Sequence, residues 1–375
     1  MAVYKIFPTK DSTIYSRYPK RNTGLDSILE VSADYATSTP QVSRYLIQFD
    51  QTSINSIFND KISDNAYQIN LKNYICNINN LNLDTTLEVY ATSGSWGMGT
   101  GHFNDTPETQ NGCNWKYKNY EGEGEWTTSN FSTYVTASYG QETGGGTWYT
   151  GSSLELNVTQ SQVYSYNSNK DLNVNVTNIL RNWYSASNSL GGFSNDGFMV
   201  KLSKNDEFIA NRNEQPNIKF YSVDTNTIYP PELQFQWDDR IYATSSAIPT
   251  ITTTDIVATL DNNPGTFKRD SIHKFKINCR PQFPTRVYQT SSLYTQKNYL
   301  PTSSYYAIKD LDTNEFVISF DDIYTKLSAD DSSNYFTLYM NGLEPERYYK
   351  ILLKIVLEGE TIILDDNYYF KIING

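Results

Sequence analysis

The sequence predicts an all-β protein, and three observations support this class. Hydrophobic residues make up 38% of the 375 residues, below the roughly 45–50% of typical globular chains. Polar uncharged residues fill the deficit, since charged residues make up only 19%, and the chain holds 31 tyrosines. Tyrosine, threonine and valine pack well on pleated surfaces. Short stretches with apolar residues at every second position recur along the chain, as is typical of strands. A chain of this length holds roughly two to three domains.

The first strands are predicted within residues 11–50, at Ser12–Tyr15, Ser27–Val31 and Val42–Phe49. In the third, apolar residues fall on both faces, with Arg44 among them. That pattern predicts a strand that is covered on both sides, as in a sandwich. The Asn-Thr-Gly sequence that ends at Gly24 supplies a turn, because glycine tolerates positive φ.

A long loop is predicted after the strand Leu87–Ala91. It begins with a Gly-x-Gly-x-Gly run at Gly97, which no helix follows, so a dinucleotide-binding fingerprint is disfavoured. Trp115, Trp126 and Trp148 lie on this loop and beyond it. Two uses of the three rings stay open: a sugar-stacking platform, or burial between sheets and at subunit contacts, where aromatic rings supply large contact area.

One short helix is predicted near residue 180. Val176, Ile179, Leu180 and Trp183 repeat at the spacing of one apolar helical stripe. Asn175 stands where an N-cap belongs, since its side-chain oxygen can accept from the amides of the first turn. Further strands follow at Gly197–Leu202, Asn217–Ser222 and Glu232–Trp237.

Five motifs of this part together resemble DNRLRE-type domains. They are Asp-x-x-Ile-Tyr from Asp11, the Asn-x-Gly turn, Arg-x-Leu-x-x-Phe-Asp from Arg44, Ser-Trp-x-x-Gly-Thr-Gly from Ser95, and Gly-x-x-Trp-x-Tyr followed by Trp-Thr-Thr. The resemblance covers about residues 1–239, with gaps, and lacks the Gly-Gly-Asp turn that the family places after Trp-Thr-Thr. It implies a secreted or surface-exposed jelly-roll sandwich.

A second domain is predicted after a small, polar linker. The expected organisation is a jelly-roll domain at 1–240, a linker at 241–252 and a second β-sandwich at 253–375. Within the last, the stretch 342–349, with Pro345 and Tyr348, resembles the corner of fibronectin-III and immunoglobulin-like sandwiches. There a tyrosine hydroxyl bonds back to the chain, so the resemblance implies an Ig-like fold.

Charge and residue counts disfavour several classes of protein. The net charge of −11 disfavours a nucleic-acid binder. No apolar run reaches bilayer length, and the start has no apolar signal region. Three widely spaced cysteines fit neither a disulfide framework nor a zinc site. His102 and His273 lack the pattern of a catalytic triad. Adjacent pairs of carboxylate residues are typical of solvated turns. A structural calcium ion is the one cofactor left open, and no other cofactor is expected.

The opening Met-Ala-Val-Tyr-Lys-Ile-Phe-Pro-Thr-Lys-Asp resembles the start of structural proteins of marine tailed phages. The leading hypothesis is therefore a non-enzymatic virion protein of the tail, neck or baseplate, made in the host cytoplasm. Its partners would be other virion proteins and copies of itself, with no nucleic acid and no membrane insertion. The second hypothesis is a carbohydrate-binding adhesion or receptor-recognition module for a host surface glycan. A third is a glycan-active enzyme, since two suitably spaced carboxyls remain open.

Overall fold

The computed structural model describes residues 2–34, 41–62, 66–79, 84–122, 124–126, 144–149, 159–209, 216–284 and 297–374. Within them the protein is nearly all β with curled antiparallel sheets, and the predicted all-β sandwich class is confirmed. The chain divides into two compact units. We call residues 6–63 and 68–234 the N-terminal unit, and residues 1–5, 64–67 and 235–375 the C-terminal unit.

The described strands follow one another along the whole chain. In chain order they are β1 (Ala2–Ile6), β2 (Pro8–Tyr15), β3 (Ile28–Asp34), β4 (Gln41–Phe49), β5 (Tyr67–Asn73), β6 (Ile75–Asn79), β7 (Thr85–Ala91), β8 (Tyr117–Asn119), β9 (Gly124–Glu125), β10 (Thr159–Tyr164), β11 (Leu172–Asn175), β12 (Phe198–Leu202), β13 (Asn217–Tyr221), β14 (Glu232–Trp237), β15 (Ile256–Asp261), β16 (Thr266–Lys268), β17 (Ile272–Pro281), β18 (Ser304–Asp310), β19 (Phe316–Ile318), β20 (Ser328–Ala329), β21 (Asn334–Tyr339), β22 (Tyr348–Leu357) and β23 (Glu360–Ile373). The helices are α1 (Gln51–Asp60) and α2 (Thr177–Ser187).

An eight-stranded sheet dominates the N-terminal unit. Its order is β10-β7-β12-β4-β3-β13-β6, and β2 pairs with β4. β4 is central, and all but the first and eighth of its nine residues are buried, so its predicted coverage on both faces is confirmed. A second sheet has the order β1-β14-β5-β11, and the chain passes from one unit to the other within β5 and within β14.

The predicted helix is confirmed as α2, with one correction at its start. Its stripe Val176, Ile179, Leu180 and Trp183 is buried, and the Trp183 ring lies 4.7 Å from that of Phe198. The N-cap is Val176, not Asn175, which ends β11 instead. Asn175 still accepts a hydrogen bond from the Thr177 amide, at 3.0 Å. The chain therefore turns from strand into helix one residue later than predicted.

The prediction of a single helix is wrong, because α1 precedes β5. Its N-cap is Asp50, whose carboxylate accepts from the Ser53 amide at 2.8 Å. The two helices pack together through a stacked pair, Phe58 and Tyr184, with ring centroids 4.7 Å apart. Only three residues of α1 are buried and apolar. The polar residues between them hide the helical spacing in the sequence.

The C-terminal unit is a sandwich of two sheets, ordered β15-β17-β21-β20 and β16-β23-β22-β18-β19. Paired strands are antiparallel except for β16 and β23. Stacked rings fill its core, with Phe336 between Phe275 at 5.1 Å and Tyr306 at 4.2 Å. The last two strands, β22 and β23, form a hairpin with its turn at Glu358 and Gly359.

The segment predicted as a linker makes regular hydrogen bonds within the C-terminal unit. Residues Ala243 and Ala329 are joined backbone to backbone at 3.0 Å, and Ile251 donates to Tyr299 at 2.8 Å. The Tyr242 hydroxyl donates to the Leu300 carbonyl at 2.9 Å. The boundaries at 240 and 252 stay predictions. None of the helices in the described part of the chain is long and apolar enough to span a membrane.

Candidate functional site

A buried ion pair lies at the centre of the N-terminal unit. Arg44 on β4 and Glu207, in the π-helical turn Asn205–Ile209, both have fully buried side chains. Arg44 donates from Nε and Nη2 to the two carboxylate oxygens of Glu207, each at 2.8 Å. Its Nη1 donates to the Gly145 carbonyl at 2.6 Å. This bidentate geometry is the strongest form of a charge-assisted hydrogen bond.

Two more charges complete what we call the buried charge cluster: Arg44, Glu207, Lys201 and Glu88. Lys201 Nζ lies 3.4 Å from a Glu207 oxygen and 3.3 Å from a Glu88 oxygen. Two cations therefore face two carboxylates, as burial of charge requires. Sequence reasoning identified Arg44 but missed its partners, because Glu207 lies 163 residues away and no local pattern connects them.

The tryptophans predicted as a sugar-stacking platform are buried. Trp115, Trp126 and Trp148 are 1%, 3% and 0% exposed. The Arg44 guanidinium lies 5.0 Å from the Trp115 ring centroid and 5.3 Å from that of Trp148, in the range of cation–π contacts. Buried rings offer no face to a sugar, so the structure favours burial of these three side chains over the platform, and a role in subunit contacts stays a prediction. Thr127 and Thr128 of the Trp-Thr-Thr motif lie outside the described residues.

The Gly-x-Gly-x-Gly run packs directly against the Asn22 turn. The Asn22 amide nitrogen donates to the carbonyls of Met98 and Cys113, both at 2.7 Å, while its oxygen accepts from Gly101 at 2.8 Å and from Gly24 at 3.1 Å. A side chain at position 99, where φ is +81°, would overlap the Asn22 amide. The glycines therefore allow close backbone packing. The preference against a dinucleotide fingerprint agrees with this arrangement.

Asp11 is a buried carboxyl with a single hydrogen bond among the described residues. It is 1% exposed, and its Oδ2 accepts from the Val223 amide at 2.7 Å, while Oδ1 has no partner. Burial raises the pKa of Asp11 to about 8, the Val223 amide opposes the shift, and the nearby Asp224 adds to it. The carboxyl therefore holds its proton at neutral pH.

Asp11→Asn should remove one contribution to the pH dependence of stability. The folded-state pKa of about 8 lies above the ordinary 3.8, so stability is present at low pH and is lost as the pH rises towards 8. Between pH 5 and pH 6.5, the free energy of unfolding of the wild type should fall by about 2 kcal/mol relative to that of Asp11→Asn. Urea titrations at both pH values measure this difference, and a constant difference would contradict a proton on Asp11.

The corner of the C-terminal unit uses Tyr349, not the predicted Tyr348. Tyr349 is 1% exposed, and its hydroxyl donates to the Glu344 carbonyl at 3.1 Å, spanning the half-buried Pro345. Tyr348 points outward and is 51% exposed. Alternation along β22 decides between the neighbours, because only one of two adjacent strand residues can face the core.

Tyr349→Phe should lower the free energy of unfolding of the C-terminal unit by about 1–2 kcal/mol, because the buried Glu344–Tyr349 hydrogen bond is lost. Tyr348→Phe is the matched control and should change it by less than about 0.5 kcal/mol. Denaturant dependence of amide hydrogen exchange in β22 and β23, which lie in the same unit, measures both. Equal effects of the two substitutions would contradict the reassignment.

The outer side of the five-stranded sheet in the C-terminal unit combines lysines with aromatic rings. Lys354 Nζ lies 4.3 Å from the Tyr305 centroid, and the Lys309–Phe316, Lys350–Tyr369 and Lys371–Tyr348 distances are 5.4, 5.8 and 5.7 Å. We call this the lysine–aromatic face, with members Tyr305, Lys309, Phe316, Tyr348, Lys350, Lys354, Ile363, Tyr369 and Lys371. Four of its apolar side chains are 42–57% exposed: Phe316, Tyr348, Ile363 and Tyr369.

The residue types that carry most chemistry lie apart from one another. His102 Nδ1 is 3.5 Å from an Asp26 oxygen on an exposed loop, while the Nε2 of His273 contacts the Asn262 carbonyl in the other unit. Burial raises the pKa of the Cys113 and Cys279 thiols to about 12, which disfavours reactive thiolates. Among the described residues no group of three or more histidine, cysteine or acidic side chains is placed to hold a metal. A calcium ion stays a prediction.

No protein-family model and no curated protein matches the sequence. A solved DUF4785 family protein from Legionella pneumophila has a TM-score of 0.19 and 8% identity, covering 99% of this chain and 62% of that one. A β-glucuronidase from Parabacteroides merdae, with glycerol in its active site, has a TM-score of 0.19 and 9% identity, covering 98% of this chain and 35% of that one. The chain spans less than two-thirds of both. Likenesses this weak carry no argument about fold or function.

Proposed function

We propose that this chain is a non-enzymatic structural protein of a tailed-phage particle, in the tail, neck or baseplate, which acts through protein–protein contacts. The observation that carries the proposal is the lysine–aromatic face. Its exposed rings supply contact area at low entropic cost, and aromatic residues are enriched in interfaces. The resemblance of residues 1–11 to structural proteins of marine tailed phages is the reason for proposing a phage particle. The partners are other virion proteins and further copies of the chain.

The charges of the face favour a specific partner over a general adhesive surface. Lys350, Lys354 and Lys371 each contact a carboxylate on the same unit: Asp365, Asp322 and Glu346. Exposed ion pairs contribute little to stability, so they can exchange for a partner's charges at low cost. Complementary charges then fix the register of the complex.

We also propose that the C-terminal unit is an Ig-like sandwich and the N-terminal unit a jelly roll. With the C-terminal strands lettered in chain order, β15, β17, β20 and β21 become A, B, D and E, and β16, β18, β19, β22 and β23 become A′, C, C′, F and G. The two sheets then have the orders A-B-E-D and A′-G-F-C-C′. This arrangement, with the Tyr349 corner at the start of F, supports an Ig-like fold. The jelly roll rests on the DNRLRE resemblance.

Mass spectrometry of purified phage particles tests the proposal, and should find the protein at stoichiometric levels. The triple variant Tyr348→Ser, Ile363→Ser and Tyr369→Ser should reduce its incorporation about tenfold or more, equivalent to at least about 1.4 kcal/mol of contact energy. The control triple variant replaces exposed apolar residues elsewhere, Val163, Tyr166 and Leu190, with serine. Particles that lack the protein while infected-cell lysate contains it free would overturn the proposal.

A further inference from the structure

A cavity of about 310 Å³ opens on the N-terminal unit. We propose that it binds a neutral saccharide, either a free mono- or disaccharide or the end of a surface polysaccharide. Its volume is at the lower end of the roughly 300–1,000 Å³ of ligand pockets. The buried tryptophans have no part in it. Saccharide binding here is independent of whether the chain is a virion component.

The floor of the cavity is a row of polar side chains that crosses five adjacent strands. Tyr15 on β2 lies opposite Ser43 on β4, which lies opposite Ser32 on β3. The row continues through Asn217 on β13 to Asn79 on β6. All five residues line the cavity. Directly opposed residues of neighbouring strands share a face about 5 Å apart, so the row presents hydroxyl and amide groups at the spacing of the strands.

Aromatic rings form one wall. Phe103 lies 4.9 Å from Tyr15 and 5.6 Å from Tyr18, measured between ring centroids. Behind them the Arg21 guanidinium lies 4.2 Å from the Tyr18 ring, and its Nη1 donates to the Phe103 carbonyl at 3.0 Å. This support holds the loop ring against the sheet. An apolar wall beside a polar floor suits a sugar ring, which has an apolar face and a hydroxylated edge.

The charges in the cavity favour a neutral ligand. The Glu30 carboxylate already accepts from Asn217 Nδ2 at 2.8 Å and from the Tyr15 hydroxyl at 3.3 Å, with Lys219 Nζ 3.6 Å away. The negative charge of Glu30 is therefore compensated by these neighbours, and the carboxylate offers no strong site for a cation. The remaining lining charges, Arg17 and Asp34, have opposite signs.

One amide of the row is only half used within the chain. Asn217 Oδ1 is buried and has no hydrogen-bond partner among the described residues, although its Nδ2 is used by Glu30. A buried acceptor without a partner costs free energy, so the polar groups of the row are not fully satisfied within the chain. The Oγ atoms of Ser32 and Ser43 share a hydrogen bond at 2.8 Å. Hydroxyl groups donate and accept at once, so a polyhydroxylated ligand suits this row of hydroxyl and amide groups.

The test incubates the full-length protein with a printed array of bacterial surface glycans and with free neutral mono- and disaccharides. We expect binding to neutral glycans that survives increased salt, since charge contacts would be screened. Binding to polysaccharides alone identifies a chain end as the source, whereas binding to free sugars identifies the small ligand. Both outcomes support the site.

Two cavity variants locate the binding. Tyr18→Ala removes a ring from the wall, and Asn217→Ala removes an amide side chain from the floor; each should lower affinity at least tenfold. Tyr166→Ala, at an 85% exposed ring on the same unit, is the matched control and should bind as the wild type does. Circular dichroism checks that each variant folds. If Asn217→Ala does not fold, the affinity of Tyr18→Ala alone tests the proposal. No binding to any neutral glycan, unaffected binding by a folded Tyr18→Ala, or binding only to acidic glycans would each overturn the proposal.

Discussion

Replacing Arg44 with methionine should lower the free energy of unfolding of the N-terminal unit by about 3–5 kcal/mol, because the fully buried Glu207 carboxylate then lacks its bidentate partner. Lys201 still contacts Glu207, but one cation then faces two carboxylates. Urea unfolding of the full chain, followed by tryptophan fluorescence, measures the change. Trp115 and Trp148 flank Arg44, so they report on the site directly.

A double-mutant cycle separates the ion pair from lost packing. Arg44→Met combined with Glu207→Gln leaves Lys201 opposite Glu88, so the charges balance again, and the interaction energy should be about 1–3 kcal/mol. The control is Lys116→Met, which removes an exposed pair with Glu125 and should cost less than about 1 kcal/mol. Additive effects of the two cluster substitutions would show that Arg44 acts through packing alone.

Asn22→Ala should cost on the order of 4 kcal/mol, because four hydrogen bonds of its side chain are lost together, three to the loop after β7 and one within the turn. The carbonyls of Met98 and Cys113 then lose the partner that Asn22 supplied, and each such loss costs about 1–3 kcal/mol less any relief by water. Urea unfolding again measures the change. We expect the loop to loosen as well, with faster amide hydrogen exchange at Gly101.

The matched control for Asn22 is Asn173, an exposed asparagine on β11 of the same unit. Asn173→Ala should change the free energy of unfolding by less than about 0.5 kcal/mol. Asn22→Asp is a second test, since it keeps the acceptor for Gly24 and Gly101 but removes both donated bonds. A loss for Asn22→Asp below about 1 kcal/mol would contradict the role of the donated pair.

The strands were largely predictable from sequence, because alternation is a local property. The two sides of β4 and the stripe of α2 could be assigned from residues only a few positions apart. The corner tyrosine was assigned one position early, because Tyr348 and Tyr349 differ only in which side of β22 they occupy. Helix α1 was missed because its apolar period is short and interrupted.

The candidate sites depend on residues that are distant along the chain, and no spacing predicts such contacts. Glu207 reaches Arg44 across 163 residues and Asn217 reaches Glu30 across 187. The tryptophans were correctly noticed but left with two uses, because a ring on a loop looks the same in sequence whether its face is exposed or covered. Only packing separates those uses.

The C-terminal unit combines segments that lie far apart along the chain, and this has a consequence for its folding during synthesis. Val3 lies in the hydrophobic core of that unit, the Tyr4 ring is 5.8 Å from that of Tyr339, and the Lys5 carbonyl accepts a hydrogen bond from Asn341. Residues 2–5 therefore belong to a unit that is otherwise built mostly from residues after 234. Domains usually fold in the order of their synthesis, but the core of this unit contains residues from Val3 to Ile372 and closes only after the last of them has emerged. Strand β1 likewise lacks the strand that it pairs with until β14 has been synthesised.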